Sequence, residues 1–532
     1  MASNPIIPGF NPDPSICRVG SNYYLATSTF EYFPGVPIYH SKDLVNWKMI
    51  GHALNRPSQL YMRTEVAGAG IFAPTLRYWK GRWYMTTCCI RVRKNGVHDE
   101  IRGFIVSTDD IWDDSKWTDP LPIDVVGIDQ DLFFDDDDKV YLCASRLGEK
   151  YGGGPRQPSG TLLTTYGTQI DLKTGLNLTR PVMLRDSDQI NRIAEGPHMY
   201  KRNGWYYLMI AEGGTEEHHQ EWIFRSKSPL GPYELPPSGI NPLVHNGLDG
   251  GDVMCTGHAD MFEGADGRWW VVMLATRPQG EERVAQLGRE TFLAPVEWTE
   301  DGWPVFNGRE KIGLTVKGIK EGPKPAEWSD DFSSDKLQIG WYSVRTPVRQ
   351  EYSLTERPNT LTLFGNPFRI DQLESPALLC RKQQYHSGTW RTVLDFEPDS
   401  EYDEAGTAVF WSNYSFIALV IRKNGDGREL VLRWNAYEDD KRQEVITPLS
   451  TSSGPIILGF AAAPTSYTPF YQESTADKAT PLQTLSSNVV CRNKIWDSPF
   501  TGTHFALFAQ GADGESCLTP AHFGRTSFTP GP

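Results

Sequence analysis

Five times between Ile6 and Lys317 a short apolar run leads into a turn and then into a second run rich in Tyr and Trp. The second runs are Asn22-Tyr23-Tyr24-Leu25, Arg82-Trp83-Tyr84-Met85, Lys139-Val140-Tyr141-Leu142, Gly204-Trp205-Tyr206-Tyr207 and Arg268-Trp269-Trp270-Val271. Between the paired runs stand Val19-Gly20-Ser21, Lys80-Gly81, Asp135 to Asp138, Arg202-Asn203-Gly204 and Ala265-Asp266-Gly267. Gly, Asn and Asp at such points reverse a chain within a few residues, so each unit reads as an antiparallel hairpin. A hairpin recurring roughly every 60 residues, somewhat longer than the ~40–50 of the commonest propeller repeats, is the mark of a propeller or array. Five copies predict a five-bladed β-propeller in an all-β chain.

In a propeller the first strand of every blade lines the central channel. The residues that open those strands therefore converge on one axis. They are Asn11-Pro12-Asp13-Pro14-Ser15, Phe72-Ala73-Pro74-Thr75, Ile128-Asp129-Gln130-Asp131, Glu195-Gly196-Pro197-His198 and Gly257-His258-Ala259-Asp260. Asp13 sits between two prolines, which fix φ and remove donors, so its carboxylate is held stiffly where pairing begins. Asp13, Asp129 and Glu195 are expected to be neighbours in space.

Two carboxyls facing each other across a cavity suit glycoside hydrolysis, where one protonates the leaving oxygen and the other acts at the anomeric carbon directly or through water. Glu195 follows the apolar Ile193-Ala194, an environment that raises a carboxyl pKa and keeps the proton on the acid. Asp13, with Asn11 and Ser15 as expected hydrogen-bond partners, is the candidate base. Asp129 would raise the acid's pKa further by its charge. From chemistry alone it is the weakest of the three assignments, because Asp131 lies two residues on and alternation places it on the same face.

After Ser329 the pattern changes to regularly spaced short strands without helix-period stretches, such as Thr389–Leu394, Thr407–Trp411, Phe416–Ile421 and Leu430–Trp434. Such a series predicts a β-sandwich. The expected division is a catalytic propeller over 1–317, a Lys-, Glu- and Pro-containing linker over 318–328, and an accessory sandwich over 329–532. The stretch Pro464 to Ser487 is too irregular for strands to be assigned. Longer inserts fall at 55–70, 91–101 and 148–160, the last carrying Tyr151-Gly152-Gly153-Gly154-Pro155, expected to be a mobile loop. The formal charge of −14 makes nucleic acid and anionic membranes poor partners but does not repel a neutral substrate. Eight scattered cysteines without CxxC spacing read as reduced core residues, and an amino terminus with neither a basic nor an apolar segment suits a cytoplasmic chain.

Several of these phrases resemble glycoside hydrolase family 43. They are Gly9-Phe10-Asn11-Pro12-Asp13-Pro14-Ser15-Ile16, Thr27 to Val36, Gly127-Ile128-Asp129, Glu195-Gly196-Pro197-His198, Glu212-Gly213-Gly214-Thr215, Gly257-His258-Ala259-Asp260 and Leu287-Gly288-Arg289-Glu290-Thr291-Phe292. The resemblance is nearest to the family's two-domain β-xylosidases, some of which also remove α-L-arabinofuranosyl groups. It implies inversion, with Asp13 as general base, Glu195 as general acid and Asp129 tuning that acid. Inversion asks for base and acid roughly 6.5–9.5 Å apart, against about 5–5.5 Å for retention.

The resemblance further implies that Phe30, Phe72, Thr215, His258 and Arg289 line the sugar pocket. It also implies that a loop of the sandwich closes that pocket with an aromatic side chain, for which Ser498-Pro499-Phe500-Thr501-Gly502 is the candidate. Phe72 stands where a tryptophan is expected. The implied activity is exo release of D-xylose from β-1,4-xylo-oligosaccharides or arabinoxylan fragments. The alternatives are an α-L-arabinofuranosidase and a non-catalytic carbohydrate-binding propeller. A retaining fructosidase is disfavoured by the absence of its Arg-Asp-Pro and Glu-Cys phrases.

No cofactor is required by this chemistry. Some family members carry Ca²⁺ near the axis, which would make His258 a candidate ligand, although one imidazole without clustered carboxylates suits an oxygen-preferring cation poorly. His218-His219, in a loop with Glu216, Glu217 and Glu221, is expected to be a solvated, hydrogen-bonded loop rather than a metal site.

Overall fold

The structure is a computed structural model. It describes residues 2–63, 65–92, 98–147, 162–249, 251–319, 325–435, 442–491 and 500–531. The glycine-rich stretch Tyr151 to Pro155 therefore lies outside the described residues, as do Ser498 and Pro499. Among the described residues there is no α-helix, only three-residue 3-10 turns, and the chain is all-β.

Five antiparallel sheets follow one another along the first part of the chain. Their opening strands are Ser15–Val19, Thr75–Trp79, Ile128–Phe134, Ala194–Arg202 and Met254–Glu263. Each pairs with the aromatic run that follows it: Asn22–Ala26, Arg82–Val92, Val140–Leu147, Trp205–Glu212 and Trp269–Thr276. Lys80-Gly81 and Asn203-Gly204 have positive φ at both residues, the two-residue turn whose twist matches that of the strands it joins.

The opening strands touch in series, each against the next, and Met254–Glu263 returns to Ser15–Val19, so the series closes on itself. Every neighbouring pair of sheets encloses its own apolar cluster. Tyr24, Ile38, Leu76 and Trp83 fill the first gap and Tyr207, Met209, Met273 and Phe292 the fourth. Ile16, Leu25, Trp270 and Val272 fill the gap that closes the ring. The amino terminus fastens the closure: Ala2–Ser3 pairs with Thr315–Val316, and the Asn4 side chain bonds both the N–H and the carbonyl of Leu293.

At the hub one guanidinium joins the opening strands. Arg77 donates to Asp260 at 3.0 Å, to Asp131 at 2.7 Å and to the Ser15 hydroxyl at 3.2 Å, and it stands 3.1 Å from His198 Nδ1. Asp260 also accepts from the Ile16 N–H and the Tyr200 hydroxyl. Burial alone would raise the Asp260 pKa, but the Arg77 charge together with the hydrogen bonds from Tyr200 and the Ile16 N–H outweighs it and holds the carboxyl at about 2. Replacing Arg77 by Met leaves two buried carboxylates without their cation, which should cost about 3–5 kcal/mol. Thermal unfolding of the variant is expected at a clearly lower midpoint; an unchanged midpoint would show that the hub does not depend on it. A depressed carboxylate stabilises above its unfolded pKa of about 4, so the wild-type advantage should fade as pH falls from ~4 toward 2.

The second part of the chain forms two larger sheets. One is built around Gly388–Asp395, Ile456–Ala463 and Ala521–Pro530, the other around Asp403–Ser412, Ser415–Asn424 and His504–Gly511. They share one core, in which Trp390, Leu394 and Phe460 of the first meet Trp411, Ile417, Leu419 and Phe505 of the second. The stretch left without assigned strands holds Ser466–Glu473, which pairs with Ile456–Ala463, and Thr480–Pro481 and Leu485–Ser486, which pair with Ser466–Glu473; cross-strand pairing overrides the weak local pattern. Trp328, placed in the linker by composition, opens a strand paired with Ala521–Pro530 and stacks on Trp390.

The two parts are joined by pairing of Tyr32–Phe33 with Ser343–Val344 and by a shared apolar cluster containing Phe10, Phe30, Tyr32, Tyr342, Phe410 and Phe508. The fully buried Arg345 completes the junction by donating to the Glu65 and Glu374 carbonyls.

Candidate active site

A cavity of about 230 Å³ is lined by Asp13, Phe30, Phe72, Asp129, Glu195, Thr215, His258, Arg289 and Phe500, together with Ile90, Ile128, Leu162, Leu163, Ile193, Gly214 and Glu216. All nine residues named from the sequence as catalytic or substrate-binding thus face one space. The local backbone explains how. Asp13, Phe30, Asp129 and His258 all have positive φ, between 48° and 56°, and so does Gly196 beside Glu195. The ladders of the third, fourth and fifth sheets slip in register at these points, between Ile128 and Asp131, Glu195 and His198, and Gly257 and Asp260. Each irregularity aims one side chain away from the sheet and into the cavity, a strained arrangement typical of functional positions.

The slip in the third sheet also separates two carboxylates that alternation had put on one face. Asp129 lines the cavity, whereas Asp131 turns to the hub, where it takes Arg77, the Met199 N–H and His198.

Asp13 is held by partners other than those expected. Its Oδ1 accepts from Arg289 at 3.0 Å and its Oδ2 from the Ser28 hydroxyl. His258 Nδ1 lies 3.8 Å away. Asn11 instead pins the loop, its side-chain oxygen accepting from Tyr39 at 2.6 Å and Lys382 at 2.9 Å, while Ser15 bonds Asp260. Arg289 is the centre of this half of the site. Besides Asp13 it donates to the Thr215 hydroxyl at 3.0 Å and, through two nitrogens, to the Phe500 carbonyl at 3.2 and 3.1 Å. Its guanidinium faces the rings of Phe30 and Phe500, which stack with centroids 5.8 Å apart, and Phe72 leans on Phe30 at 5.0 Å. Phe500 comes from the second part of the chain, so the pocket wall is built by both.

Glu195 sits opposite in character. Burial first, then the charges of Asp129, Glu216 and Asp13, push its pKa well above the usual carboxyl range. Asp129 is also raised, by burial and by Asp13, yet it accepts the Gly196 N–H at 3.0 Å, a bond that favours its ionised form. The shared proton therefore resides on Glu195. Asp13 and Glu195 line the same cavity. His258 is kept neutral, its pKa lowered to about 4 chiefly by burial.

Replacing Asp129 by Asn keeps the acceptor for Gly196 but deletes the charge that raises Glu195. The Glu195 pKa should fall, and the alkaline limb of the kcat/KM profile should move to lower pH by roughly one unit. A limb that stays in place would remove Asp129 from this role.

The polar groups at the hub are already engaged. Asp131 and Asp260, the hub carboxylates, are taken up by Arg77, and His258 faces a carboxylate already bonded to Arg289 and Ser28. Among the described residues no cluster of three or more His, Cys, Asp and Glu is placed to hold a metal. His219 departs from the expected solvated loop: it is fully buried, with Nδ1 2.9 Å from the Cys255 carbonyl. Sequence reasoning missed Ser28 and Glu216, neither of which stands at the start of an opening strand, and the aliphatic wall, of which only Ile128 does.

A proton donor that shares a small cavity with an oriented carboxylate is the equipment of an enzyme that cuts glycosidic bonds, and this protein is a glycoside hydrolase. The chain belongs to glycosyl hydrolases family 43, whose description matches residues 2–304; a β-xylosidase C-terminal concanavalin A-like domain matches residues 329–529. A non-reducing end α-L-arabinofuranosidase of Bacteroides ovatus is 35% identical over 98% of this chain and 93% of its own length. A β-xylosidase of Bacillus subtilis is 33% identical, covering 81% of each chain. Among solved structures, a xylan β-1,4-xylosidase from Bacillus halodurans C-125 superposes with a TM-score of 0.91 at 29% identity, covering 99% of this chain and all of the other.

Proposed function

We propose that this enzyme releases D-xylose, with inversion, from the non-reducing ends of β-1,4-xylo-oligosaccharides and arabinoxylan fragments. The observation that carries the reading is the single cavity joining Asp13, Asp129 and Glu195 to a wall of Phe30, Phe72 and Phe500. The aromatic wall closes the Asp13 side, so a chain end enters and a polymer cannot thread through. Asp13, oriented by Arg289 and Ser28, deprotonates a water that attacks the anomeric carbon. Glu195 delivers its proton to the leaving oxygen from the other side, and the C–O bond breaks as the new one forms. Asp129 keeps the proton on Glu195 and, through Gly196, fixes the backbone that carries it. Arg289, Thr215 and His258 bond the sugar hydroxyls. The acid and base are the protein's own side chains, so the reaction needs no cofactor.

The five sheets are read as the blades of a propeller over 1–317, supported by the closed series of opening strands, with the linker ending before Trp328 and a sandwich from Trp328 onward that supplies Phe500. A second reading, α-L-arabinofuranosidase as the main activity, is favoured by the relative that spans nearly the whole chain.

The deciding measurement is kcat/KM on aryl β-D-xyloside against aryl α-L-arabinofuranoside, with the first-formed anomer followed by NMR. Xyloside preference with α-xylose released first is expected. A retained anomer would overturn the assignment of Asp13 as base.

A further inference from the structure

The loop that carries Asp13 is gripped from outside the cavity as well as from within it. Three consecutive residues at the start of the strand Arg289–Trp298 hold Gly9 and Asn11. The Asn11 N–H donates to the Arg289 carbonyl at 2.9 Å, and the Thr291 hydroxyl donates to the Asn11 carbonyl at 2.7 Å. Between them, Glu290 Oε1 accepts the Gly9 N–H at 2.7 Å. Successive side chains of a strand point to opposite faces, so Arg289 lines the cavity and Glu290 does not. Glu290 is fully buried, and a buried carboxylate needs a cation. Arg277 supplies it through a fork, Nε to Oε2 at 2.7 Å and Nη2 to Oε1 at 2.9 Å. A fork fixes a carboxylate's orientation as well as neutralising it, so Oε1 has one set position from which to accept Gly9. Gly9 is also pressed against the second part of the chain: its φ is +77°, and a Cβ there would stand 2.4 Å from the Gln383 carbonyl oxygen.

We propose that Arg277 and Glu290 are a positioning pair for the hydrolysis: by fixing Gly9 they hold the Asp13 carboxylate where it can deprotonate the attacking water. The inference rests on the reading of Asp13 as base and assigns residues, neither of them facing the cavity, that keep the base in place. Misplacing a reacting group by about 1 Å can cost ~10²-fold in rate, so a small shift of the loop is enough to be read. A pair that served stability alone would lower the fraction of folded enzyme and leave the rate per folded molecule as it is. A pair that acts through Asp13 lowers that rate, and does so only while Asp13 is present.

The test is a double-mutant cycle on an activated aryl β-D-xyloside. Glu290→Gln keeps the shape of the side chain, but one amide oxygen cannot serve both Gly9 and the arginine fork. Its kcat is expected to fall about tenfold, with KM within about twofold of wild type. Arg277→Lys keeps the charge and loses the fork, and should lower kcat about fivefold. In an Asp13→Ala background the reaction is carried by added azide, which needs the pocket but no base. There each substitution should change the azide-supported rate by less than about twofold. Losses of equal size in both backgrounds, or folded variants with the wild-type kcat, would overturn the proposal while leaving Asp13 as base. Should Glu290→Gln fail to fold, the Arg277→Lys cycle decides on the same terms. Failure of azide to revive Asp13→Ala would overturn the reading of Asp13 itself, and this inference with it.

Discussion

Asp13→Ala is expected to lower kcat/KM by about three orders of magnitude on every glycoside, activated or not, because a general base contributes ~10²–10⁴-fold and attack by water requires one whatever the leaving group. The described carboxylates nearby are poor substitutes. Asp129 is bonded to the Gly196 N–H and shares its electrostatic fate with Glu195, and Glu216 is exposed at the mouth on the acid's side. Arg289 keeps two bonds to the Phe500 carbonyl and one to Thr215 in the variant, so the pocket wall should survive the loss of its partner. An unchanged far-ultraviolet spectrum checks this. Azide, an anion that needs no deprotonation, should restore part of the rate on an activated aryl xyloside and give the inverted glycosyl azide. A variant that keeps the wild-type rate would remove Asp13 from the reaction.

The ring of sheets was legible because its signal is repeated and local. Glycine and asparagine turns followed by paired aromatics announce each hairpin, and the structure forms a hairpin at all five. The strand starts were legible as a group for the same reason. Less visible was which way a given side chain points. Alternation puts Asp129 and Asp131 on one face, but a left-handed residue at Asp129 breaks the alternation and sends the two to different tasks. A non-glycine residue at positive φ leaves no compositional trace, since the surrounding fold imposes it. Ser28 and Glu216 escaped for a related reason: they reach the site from loops whose path is set by tertiary packing. The strands of 466–486 escaped because pairing holds them: Ser466–Glu473 pairs with Ile456–Ala463, and Thr480–Pro481 and Leu485–Ser486 pair with Ser466–Glu473.

The junction of the two parts illustrates how a module that looked like mere support enters the chemistry. Phe500 stacks on Phe30, and its carbonyl orients the arginine that orients Asp13. Lys382, half-buried between the parts, donates to the Asn11 side chain in the same loop as Asp13. The base is therefore fixed from two sides, one of them outside the ring of sheets, and its precision depends on an interface that no local motif encodes.

Glu195→Gln should separate substrates by their leaving groups. Gln matches the carboxyl in shape but has no acidic proton, so the oxygen of xylobiose or an alkyl xyloside must depart as an alkoxide; losses of about 10³–10⁴ in kcat/KM are expected there. A dinitrophenolate leaves without help, and the same variant should stay within about tenfold of wild type on that glycoside. The rate should therefore fall steeply with leaving-group pKa in the variant and shallowly in the wild type. The pH profile supplies a second reading. Burial and the charges of Asp129, Glu216 and Asp13 raise the Glu195 pKa, so the wild-type acid stays protonated at neutral pH and activity falls as pH rises through that pKa. With Gln in place nothing remains to lose the proton, and on the dinitrophenyl glycoside the alkaline limb should vanish. Equal losses on good and poor leaving groups, with the limb retained, would mean that Glu195 shapes the cavity and another group gives the proton.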